Sequence, residues 1–201
     1  MSRELTGLLV HDLKNQLGHL EAELAVLGQQ VPAVAAAHQH CAQLRQRLVA
    51  YLTIYGGDER GLVAQLEDES PAAFLASLAQ LASRPEGAPL ALVLEPPPPP
   101  FWYFDARLVR LALEAALHNA WRFARTQVWL SAQAQSGGLL LVVEDDGAGL
   151  GAKDPSAQSS TGLGMALCAA VARAHRREAL VGRVSLVPRP GGGTRFELWL
   201  P

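Results

Sequence analysis

The sequence has little cysteine, no excess of charge of either sign and no long apolar run, and each absence closes off a class of protein. Only Cys41 and Cys168 occur, far apart and without Cys-x-x-Cys spacing. Neither a disulfide framework nor a zinc site is indicated, and a reducing compartment fits. Lys and Arg number 17 against 19 Asp and Glu, a formal net charge of -2. No global basic field exists to recruit nucleic acid or an anionic membrane. No apolar run approaches the roughly 20 residues that span a bilayer, and the opening Met-Ser-Arg-Glu leads into no signal-peptide core. The expectation is a cytoplasmic protein with no membrane or nucleic-acid partner. With 13 Pro and 18 Gly the chain is not fibrous or low-complexity, and 49% hydrophobic against 18% charged residues excludes a disordered tail. What remains is a globular chain of 201 residues, long enough for one large domain or a helical piece joined to a compact one.

The first third reads as a helical hairpin. Leu13, Leu17, Leu20, Leu24 and Leu27 recur at spacings of 4, 3, 4 and 3, an apolar seam on a helix from about Ser2 to Gly28. Gln29 to Pro32 interrupt it, and Val34, Ala37, Cys41, Leu44, Leu48, Leu52 and Tyr55 restart it up to Gly56-Gly57. Two such helices cannot bury their stripes as a pair, whereas two copies would form a four-helix bundle, so a homodimer is the simplest solution. Gly56 to Gly61 reads as a hinge, which predicts a helical domain over 1–57 and a second domain over 58–201.

The second part mixes helices and strands without regular βαβ alternation. Ser70-Pro71 predicts a capped helix with Phe74, Leu75, Leu78 and Leu81 buried. A strand over Leu90 to Leu94, a stiff polyproline connection over Pro96 to Pro100 and a helix from Asp105 to about Ala124 follow. Strands over Val128 to Ala134 and Leu139 to Glu144, a helix from about Gly164 to Arg176, and a hairpin of Arg183–Val187 with Thr194–Leu200 complete an α+β sandwich.

Two glycine loops are the most informative feature. A strand ends in Glu144-Asp145-Asp146-Gly147-Ala148-Gly149-Leu150, and a dozen residues later Thr161-Gly162-Leu163-Gly164-Met165 opens a helix. Glycines at the strand end allow a turn and close backbone approach, and those at the helix start leave N–H groups and the positive dipole end for phosphate. An acid at the strand tip, Asp145, can accept a hydrogen bond from an exocyclic amine. Upstream, Asn119 shares a helix face with Arg122 and Phe123 one turn on, and a neutral oxygen ligand beside a guanidinium suits a magnesium nucleotide.

These segments resemble the asparagine box and the two glycine boxes of the ATP-binding domain of sensor histidine kinases, the Bergerat fold shared with gyrase and the heat-shock chaperone ATPases. The likeness spans roughly residues 66–201. Leu9-Val10-His11-Asp12-Leu13-Lys14-Asn15-Gln16-Leu17 resembles the histidine box of the dimerization and phosphotransfer domain. The resemblance implies ATP and Mg2+ as cofactors, with Asn119 on the metal, Asp145 on the adenine amine, Gly147 and Gly149 shaping the base pocket, and Gly162 and Gly164 at the phosphates. Thr161 and Leu163 flank those glycines, and Lys153 is the cation of the loop between the boxes.

His11 lies two positions before Leu13, about 200° around the helix, so its imidazole is expected outside the seam. A neutral imidazole is nucleophilic through one nitrogen while a carboxylate, here Asp12, orients the other. Asn15 sits four residues on, where an amide can orient water against an aspartyl phosphate. Gln16 fits a second subfamily pattern for the same task, so either amide could serve. The implied activity is a sensor-less histidine kinase that phosphorylates His11 from Mg-ATP and passes the group to a response regulator, with phosphatase activity on that regulator and a separate sensor protein among its implied partners.

Three departures stand out. Ala115 occupies the place of a second amide one turn before Asn119, Ser160 replaces a glycine at the second box, and Gly151 to Ser160 is a short lid without a phenylalanine box. These favour an alternative, a histidine phosphotransfer protein whose degenerate second domain binds no ATP. A serine kinase of the anti-sigma type shares the ATP fold but needs neither His11 nor the hairpin. His19, His38, His40, His118 and His175, and both cysteines, read as surface or packing residues.

Overall fold

The computed structural model describes residues 3–31, 34–55, 62–81, 89–94, 97–151 and 162–201. The chain separates into two compact units, Met1–Gly61 and Leu62–Pro201. Gly56 to Gly61, the expected hinge, lie outside the described residues.

The first unit is a pair of helices packed on each other, α1 (Arg3–Gln30) and α2 (Ala35–Tyr55). Gln29 and Gln30, expected to interrupt the first helix, continue it, because long amides are good helix formers. Its last turn is closed by the Val31 N–H on the Leu27 carbonyl at 2.8 Å. Between the helices, the buried Cys41 thiol donates to the Leu17 carbonyl at 3.5 Å and Arg45 pairs with Glu21. Leu17 and Leu24 are half-buried, but Leu13, Leu20 and Leu27 on α1 and Leu44 and Tyr51 on α2 stay about half exposed.

The second unit is a five-stranded sheet with three helices on one face. In chain order the elements are β1 (Glu67–Glu69), α3 (Pro71–Leu81), β2 (Leu90–Val93), β3 (Trp102–Phe104), α4 (Ala106–Phe123), β4 (Val128–Gln135), β5 (Gly138–Asp145), α5 (Leu163–Ala174), β6 (Arg176–Arg177), β7 (Leu180–Val181), β8 (Arg183–Pro188) and β9 (Thr194–Leu200). The sheet order is β2-β4-β5-β9-β8, with β2 parallel to β4 and the other neighbours antiparallel. Alternation places Leu130, Leu141, Leu198 and Leu200 toward the helices, where they meet Leu75, Leu78, Leu108, Leu113, Leu117 and Leu167, all essentially without exposure. Each such side chain contributes about 1.5–3 kcal/mol by leaving water.

Local chemistry explains the element ends. The Ser70 hydroxyl accepts the Ala73 N–H at the start of α3, and Asp105 caps α4 through Leu108 N–H at 3.0 Å. α5 stops at Ala174, two residues before the expected end, with His175 as its C-cap and β6 turning back on β7. The β1–β3 pair is absent from the hydropathy pattern because Glu67-Asp68-Glu69 carries a charge at every position. Its strand character comes from Trp102–Phe104, where buried Phe104 meets Phe74 edge to face with ring centroids 5.2 Å apart.

Candidate nucleotide site

Asp145 ends the central strand β5 on the helix-covered face, in register with buried Val128, and is itself buried. Its Oδ1 accepts two backbone N–H groups, Gly147 at 2.8 Å and Thr194 at 3.3 Å. Burial pushes this carboxyl above the usual range; the two N–H bonds and the Thr194 hydroxyl oppose the rise and the neighbouring charge of Asp146 adds to it. The result is a fixed, poorly hydrated acceptor.

Two glycines are obligatory around it. A Cβ on Gly147 would lie 2.2 Å from the Phe123 carbonyl oxygen and 2.8 Å from Asp145 Oδ1. A Cβ on Gly193 would lie 1.9 Å from the Asp145 carbonyl oxygen, and Gly193 has φ of 95°. Gly149, with φ of 88°, passes 3.5 Å from the Gly193 carbonyl, measured from the place of its missing Cβ. The loop after β5, the last turn of α4 and the β8–β9 turn therefore meet at Asp145.

Asp146 points the other way and fastens α4 to the sheet. Although desolvation would raise its pKa, hydrogen bonds from the Thr126 hydroxyl and the N–H groups of Thr126, Gln127 and Arg125 hold its carboxyl well below the usual range.

The start of α5 runs beside α4. Gly162 is its N-cap, with φ of 68° and no side-chain capping bond. Leu163, Gly164 and Met165 thus begin a helix whose first N–H groups have no partner within it. The Cβ position of Gly164 is 3.9 Å from Asn119 Nδ2 and 4.0 Å from Ala115 Cβ. Asn119 is exposed, Ala115 is buried in the α4–α5 contact, and the Arg122 guanidinium lies 5.4 Å over the Phe123 ring. Farther along the same contact, the Cys168 thiol donates to the Ala112 carbonyl at 3.4 Å.

The structure thus brings together Asn119, Phe123, Asp145, Gly147, Gly149 and Gly164, with Gly162, Leu163 and Arg122 next to them in sequence. Lys153 and Thr161 lie outside the described residues, and so do the side chains of His11 and Asp12, whose backbone belongs to α1. Asn15 and Gln16 are exposed on α1, and Asn15 borders an open depression with Gly18, His19 and Arg45. Thr194 and Gly193 were not among the expected site residues. Gly193 contributes through its backbone and Thr194 through both its N–H and its hydroxyl, and Gly191-Gly192-Gly193-Thr194 reads in sequence only as a hairpin turn.

These features fit a purine nucleotide. A buried carboxylate can accept an amine, Gly147 and Gly193 let the backbone close around it, and an uncapped helix start offers N–H groups to phosphate. Asn119, beside that helix start, has the neutral oxygen suited to magnesium. Among the described residues no cluster of three or more His, Cys, Asp or Glu could hold a metal ion.

Residues 104–201 match the family described as histidine kinase-, DNA gyrase B- and HSP90-like ATPase. Among solved structures, the Acinetobacter baumannii histidine kinase AdeS is similar with a TM-score of 0.61 and 19% identity, over 94% of this chain and 96% of that one. The ATP binding domain of PrrB from Mycobacterium tuberculosis is similar with a TM-score of 0.52 and 28% identity, over 68% of this chain and 96% of that one. No curated protein matches.

Proposed function

We propose, from the match of residues 104–201 to the histidine kinase-, DNA gyrase B- and HSP90-like ATPase family, that the chain is an ATP-dependent protein-histidine kinase that phosphorylates its own His11. The observation that carries the reading is the buried Asp145 carboxylate, held by Gly147 and Thr194 where two glycines leave no room for side chains.

In this reading Asp145 accepts the adenine amine, the first N–H groups of α5 receive phosphate oxygens, and Asn119 ligates magnesium, which neutralises charge on the transferring group. One nitrogen of neutral His11 attacks the γ-phosphorus, the bond to the ADP oxygen breaks, and Asp12 stabilises the proton on the other nitrogen. The phosphoryl group then passes to an aspartate of a response regulator, and Asn15 or Gln16 serves the reverse, phosphatase reaction. The half-exposed Leu13, Leu20 and Leu27 support a second copy completing a four-helix bundle. No described helix is long and apolar enough to cross a membrane; the reading places the reaction in the cytoplasm, with input from a separate sensor protein.

Ala115 favours a second reading, a phosphotransfer protein with a silent ATP domain, because a buried methyl stands beside Gly164 where an amide would reach the site. Incubation with terminally radiolabelled ATP and magnesium decides between them. Acid-labile label on the wild type that is absent from His11→Gln and Asp145→Asn establishes the kinase. No label and no calorimetric nucleotide binding leaves the phosphotransfer protein.

A further inference from the structure

The face of the sheet opposite Asp145 carries a connected row of side chains. Trp129, Glu144 and Arg195 are in register across β4, β5 and β9, one residue before Asp145 and therefore on the side away from the helices. Arg195 donates to Glu144 Oε1 at 3.0 Å, and Arg189 Nε lies 3.9 Å from the same oxygen. The Arg189 guanidinium also stacks over the Trp129 ring, 4.0 Å from its centroid.

Arg189 is at the same time the residue that closes the glycine turn. Its N–H donates to the Gly193 carbonyl at 3.1 Å, its carbonyl accepts the Gly192 N–H at 3.1 Å, and its guanidinium reaches the Gly192 carbonyl at 3.4 Å. Gly191, Gly192 and Gly193 all have φ between 87° and 103°, so between Arg189 and Thr194 only Pro190 has a side chain to restrict the turn. Immediately after it comes the Thr194 N–H that holds Asp145 Oδ1. That bond, at 3.3 Å, is the longer of the two on this oxygen and the one most exposed to a shift of the turn.

We propose that Arg189, clamped between Trp129 and Glu144, is a positioning residue for base recognition: it holds the glycine turn so that Thr194 keeps the Asp145 carboxylate aimed at an exocyclic amine. This rests on the ATP-binding reading above. Arg189 touches no nucleotide; it acts through Thr194. Its loss therefore lowers discrimination between bases more than it lowers phosphate binding.

The test is calorimetry on the full chain with magnesium and either ATP or ITP, which carries a carbonyl where adenine has its amine. Wild type is expected to prefer ATP. Arg189→Ala is expected to cut that preference about tenfold, the worth of one well-placed hydrogen bond. Arg189→Lys, which keeps the cation over Trp129 but not the planar contact, restores part of it. Arg183→Ala removes a comparable stack, 4.2 Å over Trp199 and away from the turn, and leaves the preference intact. An unchanged preference in Arg189→Ala overturns the inference; if that variant does not fold, an unchanged preference in Arg189→Gln, which keeps the stem and loses the cation, does so. Wild type that binds ATP without preferring it over ITP overturns the role of Asp145 and this inference together, while wild type that binds neither nucleotide overturns the ATP reading itself.

Discussion

The imidazole Nε2 of His175 accepts the backbone N–H of Asp105 at 3.0 Å, joining the end of α5 to the cap of α4 across 70 residues of sequence. The other ring nitrogen, Nδ1, donates to the Val171 carbonyl at 2.8 Å, so the buried ring is held as one neutral tautomer. Asp105 completes the junction by accepting Leu108 and Gln65 N–H groups at 3.0 Å each. A protonated ring would have no acceptor left for Asp105.

Burial lowers the His175 pKa below 6.5, opposed by the Val171 bond and the Asp105 charge. The folded state thus favours the neutral ring. The stability this contributes is complete above about pH 6.5 and is lost as pH falls below it toward the folded value, by up to about 1.4 kcal/mol per pH unit. His175→Gln removes the titration and flattens that slope. Denaturant unfolding followed by tryptophan fluorescence reads it cleanly, because all four tryptophans lie in the second unit.

Asp145 has the opposite linkage. Its pKa is raised by burial, so the ionised native carboxylate costs stability once pH exceeds the folded value, and any gain is complete only below the unfolded value near 3.8. Asp145→Asn keeps an oxygen for Gly147 and Thr194 but turns a donor toward the adenine amine. At pH 7 the expected outcome is a melting temperature equal to or above wild type together with ATP affinity reduced about 100-fold. A lowered melting temperature would show that the carboxylate is structural.

The glycines divide by what surrounds them. Gly191 and Gly193 share left-handed φ values of 87° and 95°, but a Cβ on Gly191 meets nothing within 4 Å, while one on Gly193 strikes the Asp145 carbonyl. Gly191→Ala should cost about 1 kcal/mol of backbone strain, and Gly193→Ala about 3 kcal/mol or more because the turn must leave Asp145. Urea unfolding of the two variants gives the difference.

Sequence alone carried the residues that lie on, or directly after, a patterned element. Asp145 and Gly147 were legible because an acid and glycines end an apolar strand, and Asn119 because it falls on a patterned helix. Thr194 was not, since it follows a run of glycines that reads as a plain hairpin turn, and its N–H and hydroxyl reach Asp145 across 49 residues of sequence. Nor was the Trp129–Arg189 stack, which joins positions 60 apart through sheet register. The β1 strand escaped for a different reason: its pairing is decided by Trp102–Phe104, and its own charges say nothing.

Cys168 offers a probe of the α4–α5 contact. Burial pushes its thiol up to about 12, so almost no thiolate exists at neutral pH, and reagents must wait for the helix to open. In a Cys41→Ser background, labelling by a disulfide reagent should proceed at the unfolding rate of the second unit. Bound nucleotide should slow it through mass action. Labelling much faster than unfolding would mean that α5 opens locally.

The helical unit gives the last prediction. Leu20 and Leu27 are both 46% exposed on α1, one and two heptads along from Leu13 at 50%. A row of leucines at that spacing is costly to leave in water, roughly 1 kcal/mol for each side chain half covered. If a second copy covers it, Leu20→Glu with Leu27→Glu places four like charges at the dimer seam and should shift the protein to monomer in sedimentation, without changing nucleotide affinity. Phosphorylation of His11 then separates two arrangements of the reaction. Its loss in the monomer means that one subunit phosphorylates the other, and its survival means that each subunit phosphorylates itself.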